Sequence, residues 1–215
     1  MIDLPFKDLV HNSFLYPWVQ GGLERIQQGR EMRAWVAAGG AGRPPMLLTQ
    51  GIVRRFAQQY TLRTLVEAGT HLGAMVHALR RDFDRVISIE PDDALWARAR
   101  LRFAGDPRIT IAHGDPRDVL PSLLDTLTTP ALFWLNGYPS DGGSSPGARD
   151  APVEREVDLI LAHPVRGHVV LLDDPRLVGE GDDPPTLDAL RARVAEQRPD
   201  LRVERDLGIV RIYAP

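Results

Sequence analysis

Five short apolar runs, each followed by a segment with helical spacing, constrain this chain more than any other feature. The runs are residues 65–66, 86–89, 109–111, 131–135 and 168–172. After them come Leu72, Met75, Val76 and Leu79; then Leu95, Trp96, Ala99 and Phe103; then Val119, Leu120, Leu123, Leu124 and Leu127. The last two sets are Val153, Val157, Ile160 and Leu161, and Leu187, Leu190 and Val194. Continuous apolar strands alternating with amphipathic helices imply a parallel sheet covered on both faces. The end of the chain breaks the rhythm. Residues 201–204 and 209–213 flank Asp206-Leu207-Gly208, which leaves no room for a crossover helix, so this pair must be antiparallel. The expected fold is therefore α/β. It is a Rossmann-like, doubly wound, mostly parallel seven-stranded sheet with a C-terminal antiparallel hairpin.

The first sixty residues follow a different rule. Leu23, Ile26, Met32, Trp35 and Val36 keep roughly helical spacing until Gly39-Gly40-Ala41-Gly42-Arg43-Pro44-Pro45 interrupts them. Ile52, Val53, Phe56 and Tyr60 mark a second helix. The expectation is a helical N-terminal cap over residues 1–60, serving as packing or as a lid, and a main domain over 61–215. A chain of 215 residues that is 43% hydrophobic is long enough for one well-buried core.

In an open parallel sheet, ligands bind beyond the carboxyl ends of the strands, where strand order reverses. The residues just after each apolar run are therefore the informative ones. They are Glu67-Ala68-Gly69-Thr70-His71-Leu72-Gly73, Glu90, His113-Gly114-Asp115, Asn136-Gly137-Tyr138 and Asp173-Asp174. The first loop has the spacing E-x-G-x-x-x-G. Gly69 allows a sharp turn and close approach to a ligand, and Gly73 lets the next helix sit close. A diphosphate wants helix-terminal N–H groups and no acid beside them, so Glu67 argues against a dinucleotide. The same acid suits an ammonium group. Glu90 is placed to accept two ribose hydroxyls, and Asp115 to receive an adenine amine. Ribose, adenine and a zwitterionic tail without phosphate describe S-adenosylmethionine (SAM).

On VEAGTHLG, ISIEPDD about twenty residues later, the HGD step and the closing hairpin, the chain resembles the class I SAM-dependent methyltransferases over residues 62–213. The resemblance implies cofactor contacts at Glu67, Gly69, Thr70, Gly73, Glu90, Asp115 and Asn136. FWLNGYPSDGG followed by VVLLDDPRLVG looks like the macrocin-type small-molecule O-methyltransferases. In those, an acid after strand four and an Asp-Asp pair after strand five hold a divalent cation. Here Asp173, Asp174 and Asn136 would be the metal ligands. Asn136 replaces an acid and Tyr138 a histidine, so the site has one negative charge fewer and Mg²⁺ affinity should be weak. The implied catalytic residues are Asp173, Asp174 and His71.

Other patterns carry less. Gly143-Ser144-Ser145-Pro146-Gly147 matches the hydrolase pattern G-x-S-x-G, but Pro146 has no N–H to offer an oxyanion. His77, His163 and His168 read as surface or structural residues; His113 directly precedes Gly114-Asp115. The chain has no cysteine, which removes disulfides, thiolate nucleophiles and Cys-ligated metals. All but Lys7 of the 26 basic residues are arginine, scattered among acids, at a net charge of −3. A nucleic-acid partner would call for a clustered basic face. No apolar run approaches the ~18 residues of a membrane span. The expected setting is the cytoplasm and the expected partner a small-molecule methyl acceptor. Oligomeric state is not legible. Two alternatives stay open: a divergent SAM-binding protein without catalysis, and an NAD-dependent oxidoreductase.

Overall fold

The computed structural model describes residues 16–40, 44–136, 153–173 and 186–215. The chain divides into two compact units, Met1–Thr49 and Gln50–Pro215. Helix α1 (Tyr16–Ala37) ends where Gly39 and Gly40 take φ values of 71° and 76°, and Gly40 N–H donates to the Trp35 carbonyl. Val36, expected on the apolar stripe, is 62% exposed. Helix α2 (Met46–Gln59) buries Ile52, Val53, Phe56 and Ala57.

Beyond α2 the order is β1 (Thr64–Ala68), α3 (Ala74–Leu79), β2 (Arg85–Glu90), α4 (Asp93–Phe103), β3 (Ile109–His113), α5 (Pro116–Leu124) and β4 (Leu132–Asn136). Then come α6 (Glu154–Ala162), β5 (Val169–Asp173), α7 (Leu187–Gln197), β6 (Arg202–Asp206) and β7 (Ile209–Tyr213). The seven strands form one sheet in the order β3-β2-β1-β4-β5-β7-β6. Burial follows position in that order. The interior strands β1 and β5 are buried at every residue, whereas the edge strands β3 and β6 contain only half-buried and exposed positions. The charged sequence RVERD of β6 suits an edge, where it discourages pairing with another chain.

Right-handed crossovers decide which helix covers which face. The path β1-β2-β3 runs one way across the sheet and places α3 and α4 on one side. The path then returns to β4 and β5, so α5, α6 and α7 cover the other. On that second face Val66, Ile87, Ile89, Phe133, Leu135, Val170 and Leu172 pack against Leu120, Leu123, Val157, Ile160, Leu190 and Val194. Strand order reverses between β1 and β4, the place above whose carboxyl ends open parallel sheets generally bind ligands.

The closing hairpin pairs Asp206 with Ile209 around Leu207 and Gly208, whose φ values are 53° and 72°. Two left-handed residues make the tight turn whose twist matches that of the flanking strands. β7 then lies antiparallel to β5, with Leu172 opposite Val210.

Candidate active site

The register of the parallel strands collects the polar strand ends into one row. His113 on β3 lies beside Glu90 on β2. Ala68 pairs with both Ile89 and Leu135, so Gly69, one residue further, lies between Glu90 and Asn136. Asn136 pairs with Asp173 on β5. Five consecutive strands thus present His113, Glu90, Gly69, Asn136 and Asp173 along the carboxyl edge. Glu90 and Asp173 are each 2% exposed, a burial that acidic residues rarely reach outside a site or a pair.

The loop after β1 is held from beneath. Gly69 and Thr70 N–H both donate to the Ile89 carbonyl, at 3.0 and 3.1 Å. Gly69 has φ +93°, and a Cβ there would come 3.6 Å from the Cβ of Asn136. Only glycine adopts this turn freely while leaving the backbone open above it. His71 follows at φ 50°, an uncommon conformation for a residue with a side chain. Its N–H donates to Glu90 Oε2 at 2.6 Å, and its imidazole is exposed. Gly73, at φ +72°, begins α3 against Phe103.

Glu90 is fixed at both oxygens. Oε2 takes the His71 N–H and Oε1 the Asp92 N–H at 3.1 Å. Each oxygen has a further lone pair, so the carboxylate keeps acceptor capacity while its orientation is set by the backbone. Asp92 in turn caps α4 by accepting from Ala94 and Leu95 N–H.

Glu67 sits deeper than a surface contact for a ligand would require. It is 2% exposed, and Ser88 Oγ donates to its Oε2 at 2.5 Å. Ser88 Oγ is itself 2.6 Å from Thr70 Oγ1, so three buried side chains form a column beneath the loop. Burial pushes the Glu67 carboxyl up to about 8; the Ser88 hydroxyl opposes the rise and the charge of Glu90 adds to it. Ser88 is a site residue that strand-end reasoning does not reach. A serine between two isoleucines in ISI is a signal, but only the β1–β2 register shows that it faces Glu67.

Asp115 is the N-cap of α5. It accepts from Arg117 N–H at 2.9 Å and pairs with the Arg117 guanidinium at 2.8 and 2.6 Å. That guanidinium holds its carboxyl below the ordinary range. Nearby, His113 stacks on Trp96 with centroids 4.6 Å apart, and its Nε2 lies 2.9 Å from Asp93. His163 and His168 are buried at the opposite end of β5 and hydrogen-bond to each other at 2.9 Å, a structural role.

Asp174, Tyr138 and the residues of the 139–152 loop lie outside the described residues. Mg²⁺ finds no support: among the described residues, no group of three or more His, Asp or Glu side chains could hold a metal ion. Of the three implied ligands, Asn136 and Asp173 lie side by side on β4 and β5, and Asp174 is outside the described residues. Among the described residues no helix is long and apolar enough to cross a membrane.

No family model and no curated protein matches the chain. Solved structures do. The O-methyltransferase TomG from Streptomyces achromogenes, involved in tomaymycin synthesis and solved with SAM, superposes with a TM-score of 0.57 at 17% identity. The match covers 87% of this chain and 89% of that one. An O-methyltransferase from Bacillus cereus, solved with S-adenosylhomocysteine (SAH), gives 0.56 at 14% identity over 86% and 90%. The SAH-bound Podospora anserina methyltransferase PaMTH1 gives 0.56 at 15% over 95% and 97%. With its sheet order and closing hairpin, the chain has the fold of these methyltransferases.

Proposed function

We propose that this chain is a SAM-dependent methyltransferase that methylates an oxygen of a small molecule, in the manner of the macrocin-type enzymes. The observation that carries the reading is the row Glu90–Gly69–Asn136 at the strand-order reversal, with Glu67 buried beneath it and no diphosphate loop of the dinucleotide kind. SAM fits these residues. Its ribose would meet Glu90, whose carboxylate is already oriented by two backbone N–H groups. Its amino-acid tail would lie over the open backbone of Gly69 through Gly73, near Glu67 and Thr70. Its adenine would lie toward Asp115, where the bonds from Arg117 leave one acceptor lone pair, on Oδ2.

When bound, SAM supplies a methyl group already activated by its sulfonium. The protein then has to align the acceptor in line at about 3 Å and take its proton. Asp173 and Asp174 at the end of β5 are the proposed groups for orientation and deprotonation, with His71 on the cofactor side of the same opening. Asp173 is buried at the strand end beside Asn136, which supports a held rather than a solvated carboxylate. The alternative, a SAM-binding protein without transfer, draws its support from Asn136, which stands where the resemblance calls for an acid.

Calorimetric titration with SAH tests the binding half, and methyl transfer to a panel of hydroxylated small molecules tests the chemistry. Saturable SAH binding with no stabilisation by NAD or NADP is the expected result. Stabilisation by a dinucleotide and none by SAH would overturn the assignment.

A further inference from the structure

We infer that seating the ammonium group of the cofactor's zwitterionic amino-acid tail drives the carboxyl proton off Glu67, so that cofactor uptake is linked to proton release. The inference rests on the methyltransferase reading and adds to it a linkage within the same site.

The geometry around Glu67 is unusual for an acid. The side chain is 2% exposed, its partner is a neutral hydroxyl, and a second buried acid, Glu90, stands on the adjacent strand. Among the described residues, the charged groups on the surrounding elements are engaged elsewhere. On α2 and α3, Arg54 is paired with Asp82 and the Ala78 carbonyl, and His77 is exposed. On α4, Arg102 donates to the Leu72 carbonyl, while Asp92 caps the helix and Asp93 meets His113. On β7, Arg211 is paired with Asp206, and on β5 Asp173 adds another acid. His71 contributes its backbone N–H to Glu90 and exposes its ring. A carboxyl so enclosed keeps its proton, because burial penalises the charged form and, among the described residues, the Ser88 hydroxyl offsets only part of that cost. Its ordinary value of 4.5 is accordingly raised to about 8.

An ammonium group over the 67–73 loop reverses that balance. An opposite charge within about 4–6 Å moves a carboxylic acid's titration down by about 1–3 pH units. Near neutral pH this carries Glu67 from mostly protonated to mostly ionised. The O–H bond of the carboxyl breaks and the proton passes to the buffer, with the Ser88 and Thr70 hydroxyls lying along the way to the loop. No bond of the cofactor forms or breaks. Glu67 is thus a positioning residue whose charge appears only when the site is filled, while Glu90 stays oriented throughout. The apo site in this way avoids two buried negative charges side by side.

The test is calorimetric titration of the wild-type protein with SAH near neutral pH, in buffers of different ionisation enthalpy. The expected release is about half a proton or more per SAH bound, declining as the pH is raised above about 8. Adenosine, which offers ribose and adenine without the tail, should bind with no release. E67Q should bind SAH with no release. S88A removes the hydroxyl that favours the ionised form, so its release profile should move to higher pH; with adenosine, it decides the question if E67Q does not fold. If the wild type binds SAH without release, or E67Q or adenosine releases as much as wild type with SAH, the linkage is wrong and the methyltransferase reading stands. If SAH does not bind the wild type at all, both fall.

Discussion

Glu90 is the residue on which the cofactor reading depends most. Its two oxygens are held by His71 and Asp92 N–H, so on the proposed reading the carboxylate would meet a ribose without having to reorganise. Glu90→Ala should lower SAH affinity at least tenfold, since hydrogen bonds to a charged acceptor are worth about 1.5–3 kcal/mol each. Calorimetry reads the loss, and an unchanged affinity would remove Glu90 from the site. Asp173 has a different role in the proposal, so its variant should behave differently. Asp173→Asn should keep SAH binding and reduce transfer by about 10²-fold, within the usual range for a positioned acid or base. Full activity in that variant would make the carboxylate structural. Both residues can be picked out in the sequence because strand ends of a parallel sheet are where ligands bind. Asp115 can be picked out too, but its capping of α5 and its pairing with Arg117 depend on the local geometry of the turn.

At the level of elements, the loop between β1 and α3 works because it is wedged against α4. A Cβ on Gly73 would lie 2.7 Å from a ring carbon of Phe103, and the φ of +72° already disfavours any other residue. Gly73→Ala should therefore destabilise the protein by about 1–3 kcal/mol, from clash and backbone strain together. Adding Phe103→Leu should recover the part due to the clash and leave the part due to φ. Denaturant unfolding of the single and double variants separates the two. Sequence spacing alone suggests close packing of this helix. That its neighbour is Phe103, at the far end of α4, follows only from how α3 and α4 lie on one face of the sheet. The two glycines at 69 and 73 thus differ: the first makes a turn beside Asn136, where the proposal seats the cofactor, and the second permits contact between elements.

For the whole molecule, two buried titratable groups give stability a particular pH dependence. His168 is held near 4, against an ordinary 6.5, by burial first and by the neighbouring His163 second. It accepts the Ala131 N–H at Nδ1, so its Nε2–H donates to His163, whose own Nε2–H donates to the Leu124 carbonyl. Being neutral when folded, it stabilises the fold fully above 6.5 and loses that contribution as the pH falls toward 4. Glu67 runs the opposite way: its raised value favours the fold at low pH and is lost as the pH rises from 4.5 toward 8. The two slopes oppose each other below 6.5, so the net effect appears above it. Stability should fall between about pH 6.5 and 8, by at most about 1.4 kcal/mol per pH unit. Glu67→Gln should flatten that decline and, between about pH 4.5 and 6.5, uncover the rise of stability with pH that His168 contributes. Thermal unfolding across the pH range checks this, and an equally steep decline in the variant would rule out Glu67 as its origin.

What the sequence determined by itself was the kind of element and its order. Apolar runs of two to five residues, amphipathic spacing and a two-residue turn act over short distances, and each reads out locally. Seven strands and the antiparallel close follow from them, and the resemblance to methyltransferases adds only the short motifs VEAGTHLG, ISIEPDD and HGD at the strand ends. Tertiary structure decided which side chains meet. The register that sets Glu67 on Ser88, Gly69 beside Asn136, and Asn136 beside Asp173 comes from burying both faces of the sheet at once. A slip of one residue would turn every apolar side chain to the wrong face, yet nothing within a single strand records the alignment of its neighbour. The same holds for His163 and His168, brought together with Ala131 and Leu124 from other places in the chain. Local pattern specifies elements because its forces are local. A site assembled from five strands exists only when long-range packing has set them in register.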